Sequence, residues 1–154
     1  MKSEYMTEEV LIGIKGLHAV KDSPEDDIEV VFPGSCRKLG DTWYLRYTEP
    51  VEGFDGEIRS LIKLRSHYME VSKRGITSTN MVFEEGKKNV TWYETPLGSV
   101  MLGIAATSVQ VSLQKDLIEA QADYALDVND QHQADCHISI SVTPREGSQI
   151  GIVQ

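Results

Sequence analysis

From Val10 onward the chain alternates apolar and polar positions with a period of two, the spacing of a strand that buries one face. Val10, Ile12 and Ile14 alternate with Leu11, Gly13 and Lys15, which predicts a first strand. Residues 22–27 hold Pro24 and four acids and read as a solvated turn. Ile28, Val30 and Phe32 share one face of a second strand that bends at Pro33-Gly34 and runs on toward Lys38. Gly40-Asp41 marks a tight reversal into a third strand, 42–49. Trp43, Leu45 and Tyr47 lie on one of its faces, and Tyr44, Arg46 and Thr48 on the other. The same rhythm predicts strands over 57–64, 68–73, 77–84, 89–95, 99–106, 108–113, 118–128 and 134–143, with Glu85-Gly86-Lys87-Lys88, Pro96-Leu97-Gly98 and Asn129-Asp130-Gln131 as turns. Residues 113–124 are the strongest helix candidate. Ile118, Ala120, Ala122 and Tyr124 alternate cleanly, however, and the hairpin they make with 134–143 decides for strand.

About ten strands at hairpin spacing predict an all-β chain. An antiparallel sheet of that length curls, splits into a sandwich or closes, and closure removes its exposed edges. The expectation is a closed or nearly closed antiparallel meander barrel of about 8–10 strands, with a sandwich as the alternative. Residues 1–154 are read as one barrel domain with its core at 8–143. Residues 144–154 form a tail or, through Ile150 and Ile152, a short docking strand.

Three segments resemble a known family: Gly40-Asp41-Thr42-Trp43-Tyr44-Leu45-Arg46-Tyr47, Asn80-Met81-Val82-Phe83-Glu84-Glu85-Gly86-Lys87-Lys88 and Tyr93-Glu94-Thr95-Pro96-Leu97-Gly98-Ser99. In order and spacing, across residues 8–143, they are similar to the YwiB-like family of small bacterial proteins. The resemblance implies a calycin-like, lipocalin-type β-barrel, a bacterial and cytoplasmic protein, and no established activity. The first strand has no tryptophan, so the Gly-x-Trp signature of true lipocalins is missing.

Composition narrows the partners. The 154 residues are 40% apolar and 25% charged, which is globular, and a net charge of −9 disfavours duplex DNA and anionic membranes. Two cysteines, Cys36 and Cys136, are too few for a disulfide scaffold and suit a reducing compartment. The N-terminus carries acids where a signal peptide needs an apolar run. No stretch approaches the roughly 20 apolar residues that span a bilayer, so a cytoplasmic location is expected.

The chemistry-bearing residues are sparse. His132, Cys136 and His137 come nearest to a metal site, but Cys136 and His137 face opposite sides of a strand, so no metal or other cofactor is expected. No Gly-x-Ser-x-Gly elbow or phosphate-cradling loop occurs, and the enzyme reading ranks last. The aromatic and polar mixture of the central strands is more suggestive, because tyrosine and tryptophan offer an apolar body with a polar tip. Tyr47, Asn80, Trp92 and Tyr93 are the candidate ligand-binding residues. Parity places Tyr47 inside with Trp43 and Leu45, Trp92 inside with Val90, and Arg46 and Tyr93 outside. A polar head group would then be read by tyrosine and Asn80 and not by arginine. Two functions remain open: a barrel that binds a small apolar or amphiphilic molecule, and a filled barrel that docks on a protein partner or a second copy.

Overall fold

A computed structural model describes residues 8–16, 28–51, 53 and 56–145. They form ten antiparallel strands: β1 (Glu8–Lys15), β2 (Val30–Leu39), β3 (Thr42–Pro50), β4 (Glu57–Arg65), β5 (Tyr68–Arg74), β6 (Thr79–Glu84), β7 (Lys88–Thr95), β8 (Gly98–Gln114), β9 (Leu117–Val128) and β10 (Gln131–Pro144). The strands make one sheet in the order β6-β5-β4-β3-β2-β1-β10-β9-β8-β7, curled into a nearly closed barrel consistent with a calycin-like fold. The segment with the strongest helical spacing lies mostly in β9, and among the described residues no helix is long and apolar enough to cross a membrane. The expected break at residue 107 is a bulge between Ala106 and Ser108, so two predicted strands are the single strand β8. The turn at 22–27, Ile150 and Ile152 lie outside the described residues.

The turns follow from residues that accept positive φ. Gly40, at φ 61°, opens the two-residue reversal between Leu39 and Thr42. Asn129 and Asp130, at φ 50° and 68°, make the mirror-image turn that joins β9 to β10. Between such turns the period-two pattern drives one face inward. Ile12, Leu45, Ile62, Leu64, Met69, Phe83, Ile104, Ile118, Ile138 and Ile140 are buried almost completely. Phe83 meets Tyr124 edge to face at 4.9 Å, across the barrel from strand to strand.

Besides the bulges at Ala106/Ser108 and His132/Ala134, the barrel wall has two irregularities that open it. The end strands β6 and β7 are neighbours in sequence, yet only a bridge between Ser78 and Glu94 joins their far ends. At the near end the turn is tied down by Gly86 N–H donating to the Ala106 carbonyl, and the Asn89 amide donates to the Val82 carbonyl. The second irregularity lies in β2. Its register with β1 runs from Val30 to Cys36, while its register with β3 starts only at Gly34 and ends at Leu39. Ahead of Gly34, β2 and β3 part.

Candidate functional site

The parting of β2 from β3 is written in Pro33-Gly34. Proline supplies no ladder N–H, so the strand loses a neighbour there. At Gly34 the β2 backbone comes so close to β3 that an added Cβ would run into the Arg46 carbonyl oxygen and the Ile12 side chain. Beyond that crossing the strands diverge, and the opening is a cleft of about 480 Å³. Pro33, Ser35, Arg46, Thr48 and Arg59 line it from the outer face, together with the Glu9–Arg145 ion pair at 2.8 Å. Tyr47 and Ser60 line it from the inner face.

Behind the cleft lies a polar row inside an otherwise apolar barrel. Directly paired residues of a ladder share a face. The pairs Tyr47–Ser60, Ser60–Lys73 and Lys73–Thr79 therefore set four polar side chains side by side across β3, β4, β5 and β6. Glu49, two residues beyond Tyr47 on the same face, accepts hydrogen bonds from Lys73 Nζ at 2.5 Å and from Ser60 Oγ at 3.3 Å. Two hydroxyls of the row have no partner: Tyr47 Oη, on a residue 4% exposed, and Thr79 Oγ1, on a residue 7% exposed. Leaving a buried hydroxyl unpaired is unfavourable, and such groups gather where a ligand completes the network. The Tyr47 ring stacks on Phe32 at 4.6 Å, spanning the gap between the parted strands. Burial, reinforced by the charge of Glu49, pushes the Tyr47 phenol well above its ordinary range despite the Ser60 hydroxyl beside it. The phenol stays protonated and can donate.

The four residues singled out from the sequence divide into two pairs. Tyr47 points inward as expected and lines the cleft. Tyr93 also faces inward, half-buried against the core beside Val100, which corrects its expected outward position. Asn80 is exposed on the outer face of β6, in a hollow it shares with Arg46, Arg59 and Arg74. Trp92 is 54% exposed and Val90 59%, so the parity argument for β7 is reversed. The apolar residue Val90 was the wrong guide there. On this strand the inward positions are Asn89, Thr91, Tyr93 and Thr95, and the outward row beside the open seam carries the larger apolar side chains.

Glu49, Ser60, Lys73 and Thr79 were not singled out. Their signal was available: each is a polar residue on the buried parity of its strand, as Lys73 is with Met69 and Val71. Arg46 faces outward as expected, but into the cleft, so arginine can reach a ligand there. Neither Cys36 nor Cys136 forms a disulfide. Among the described residues no three His, Cys, Asp or Glu side chains gather as a metal site. His132 and His137 are instead engaged with Asp135 and Asp123.

Comparison with known proteins completes the picture. The model of a domain of unknown function, DUF1934, matches residues 12–140. The crystal structure of the ywiB protein from Bacillus subtilis superposes with a TM-score of 0.70 at 19% identity, covering 94% of this chain and 96% of that one, which establishes a shared fold. No curated protein matches the chain.

Proposed function

The chain belongs to the DUF1934 family, and from that premise we propose that it is a bacterial, cytoplasmic binding protein that takes a small amphiphilic molecule with an anionic head group at the β2–β3 cleft. The observation that carries this reading is a cleft of about 480 Å³ flanked by Arg46 and Arg59, with Tyr47 on its inner wall. An anionic head group accepts from the Arg46 and Arg59 guanidiniums, while Pro33 and the Phe32–Tyr47 stack offer apolar surface to the rest of the molecule. Titration with decanoate and with decanol tests it. Decanoate is expected to bind saturably and about tenfold more tightly than decanol, the worth of one charge-assisted hydrogen bond. Arg46→Gln is expected to erase most of that difference. Absence of saturable decanoate binding, together with absence of any co-purifying small mass by native mass spectrometry, overturns the reading.

A second reading, docking on a protein partner or a second copy, is favoured by one observation: Val90 and Trp92 stand outward beside the unladdered seam of β6 and β7. Light scattering of the parent and of Trp92→Glu tests it, since a dimer built on this face dissociates in the variant.

A further inference from the structure

The outer face of β3–β6 carries an arrangement that the cleft uses only in part, through Arg46 and Arg59. Arg59 and Arg74 are direct register partners on β4 and β5, so two guanidinium side chains leave the same face side by side. Like charges directly opposite each other in an antiparallel ladder are destabilising. Arg46 stands next to them on β3, diagonal to Arg59. None of the three makes an ion pair with a carboxylate among the described residues. They border a hollow of about 360 Å³ whose walls also hold Ser72 and Asn80. Glu70 is the one acid on that wall, and its carboxylate already accepts the Tyr68 hydroxyl at 2.5 Å.

Charge is segregated around the whole barrel. Of the six arginines, at positions 37, 46, 59, 65, 74 and 145, the first five fall within β2–β5. The outward positions of β9 and β10 carry Glu119, Asp123, Asp127 and Asp135. A chain of net charge −9 therefore gathers five of its six arginines on one side of the barrel.

We propose that the Arg46–Arg59–Arg74 hollow is a second binding site, for a di- or triphosphate group. Three unpaired guanidiniums need more than one negative charge to balance them, and the planar fork of each matches phosphate oxygens two at a time. Ser72 and Asn80 add neutral hydrogen bonds at the rim. A phosphate chain between Arg59 and Arg74 also turns their repulsion into a shared attraction. This site adjoins the cleft and shares Arg46, Arg59 and Ser60 with it, but Arg74, Ser72 and Asn80 border the hollow alone, whereas Tyr47 and Arg145 border the cleft alone.

Calorimetric titration with sodium pyrophosphate tests the assignment, with sodium chloride at equal ionic strength as the reference. Pyrophosphate is expected to bind saturably and to raise the melting temperature beyond the chloride reference. Arg74→Gln is expected to weaken it by about tenfold or more, the loss of one bidentate pair, and Asn80→Ala by less. Arg74→Gln without ligand is expected to melt no lower than the parent, because the like-charge pair is gone. Decanoate binding should survive Arg74→Gln, and pyrophosphate binding should survive Tyr47→Phe, so failure at one site is distinguishable from failure at the other. Equal affinity for pyrophosphate and a nucleoside diphosphate identifies the phosphate chain itself as the ligand, while tighter nucleoside diphosphate binding identifies a nucleotide. Unchanged pyrophosphate affinity in Arg74→Gln, or an equal response to chloride, overturns the site. A short single-stranded oligonucleotide that displaces pyrophosphate and binds more tightly than either small ligand overturns it in favour of a polymer.

Discussion

Replacing Tyr47 by phenylalanine removes a single oxygen while leaving the ring, its stack on Phe32 and the cleft wall in place. That oxygen is buried and has no hydrogen-bond partner. Folding strips it of water and returns at most a weak contact with the Ser60 hydroxyl, against a penalty of about 1–3 kcal/mol for an unpaired neutral group. Tyr47→Phe is therefore expected to stabilise the ligand-free protein by about 1–2 kcal/mol, which for a chain of this length raises the melting temperature by about 2–8 °C. Thr79→Val applies the same argument to the second unpartnered hydroxyl. Thr79 stands three strands from Tyr47, about 14 Å at ordinary strand spacing, so the two gains should add. Ser60→Ala provides the opposite sign: its hydroxyl donates to Glu49, and removing it should lower stability by about 0.5–1.5 kcal/mol. Urea unfolding with an unchanged denaturant slope, supported by calorimetric melts, is the assay. A loss of about 1 kcal/mol or more in Tyr47→Phe would refute the reasoning, because it would mean that the hydroxyl has a partner in the folded chain.

Lys73→Met leaves Glu49 without its cation in a site where both side chains are largely shielded, and is expected to cost about 2–4 kcal/mol; the double variant with Glu49→Gln should recover part of that in a mutant cycle. Trp92→Ala is expected to change stability by less than about 1 kcal/mol, because over half of the residue is already in water; a drop of several kcal/mol in a thermal melt would return Trp92 to the core. Burial holds the Cys36 thiol at about 12 against an ordinary 9.0, and the Tyr47 phenol is raised as well. The folded chain thus keeps protons that the unfolded chain releases. Stability from these groups is complete below pH 9.0 and is lost as the pH rises toward about 12. Cys36→Ala should flatten that alkaline decline in melts run across this range, and an unchanged slope would mean that the thiol is not responsible.

The ladder of alternating residues was legible because each inward row is made of unambiguous apolar side chains, as in Ile118, Ala120, Ala122 and Tyr124 on β9. Legibility failed on β7, where Val90 and Trp92 out-compete Thr91 and Tyr93 in hydrophobicity yet face solvent. A strand at the end of a sheet has a neighbour on one side only, so its parity is constrained less by packing than that of a central strand. Tyr47 was identified from parity alone, but its companions Ser60, Lys73 and Thr79 come from strands up to 32 positions away and meet only through the register. The cleft was half visible in Pro33-Gly34, where the sequence led to the expectation of a bend and the strand runs on to Leu39. That the bend would open the barrel wall depends on how far β3 continues past Gly34, which a single strand does not reveal.

The unladdered seam between β6 and β7 has a consequence for how the chain assembles. Among the described residues every ladder but one joins strands consecutive in sequence, and the exception is β1 with β10. The polypeptide is thus two consecutive meanders, β1–β6 and β7–β10, each able to form from contacts near in the chain. They meet along a single long-range ladder from Val10–Pro144 to Lys15–Ser139. Cutting the backbone in the turn at Gly86 would interrupt no ladder at all. The nicked molecule would be two complementary fragments held by the β1–β10 ladder, the Ser78–Glu94 bridge and the shared core, with covalent continuity at the turn raising their effective concentration. Docking of the two meanders, closed by pairing the first strand with the last, is then the slow and entropically demanding step of folding.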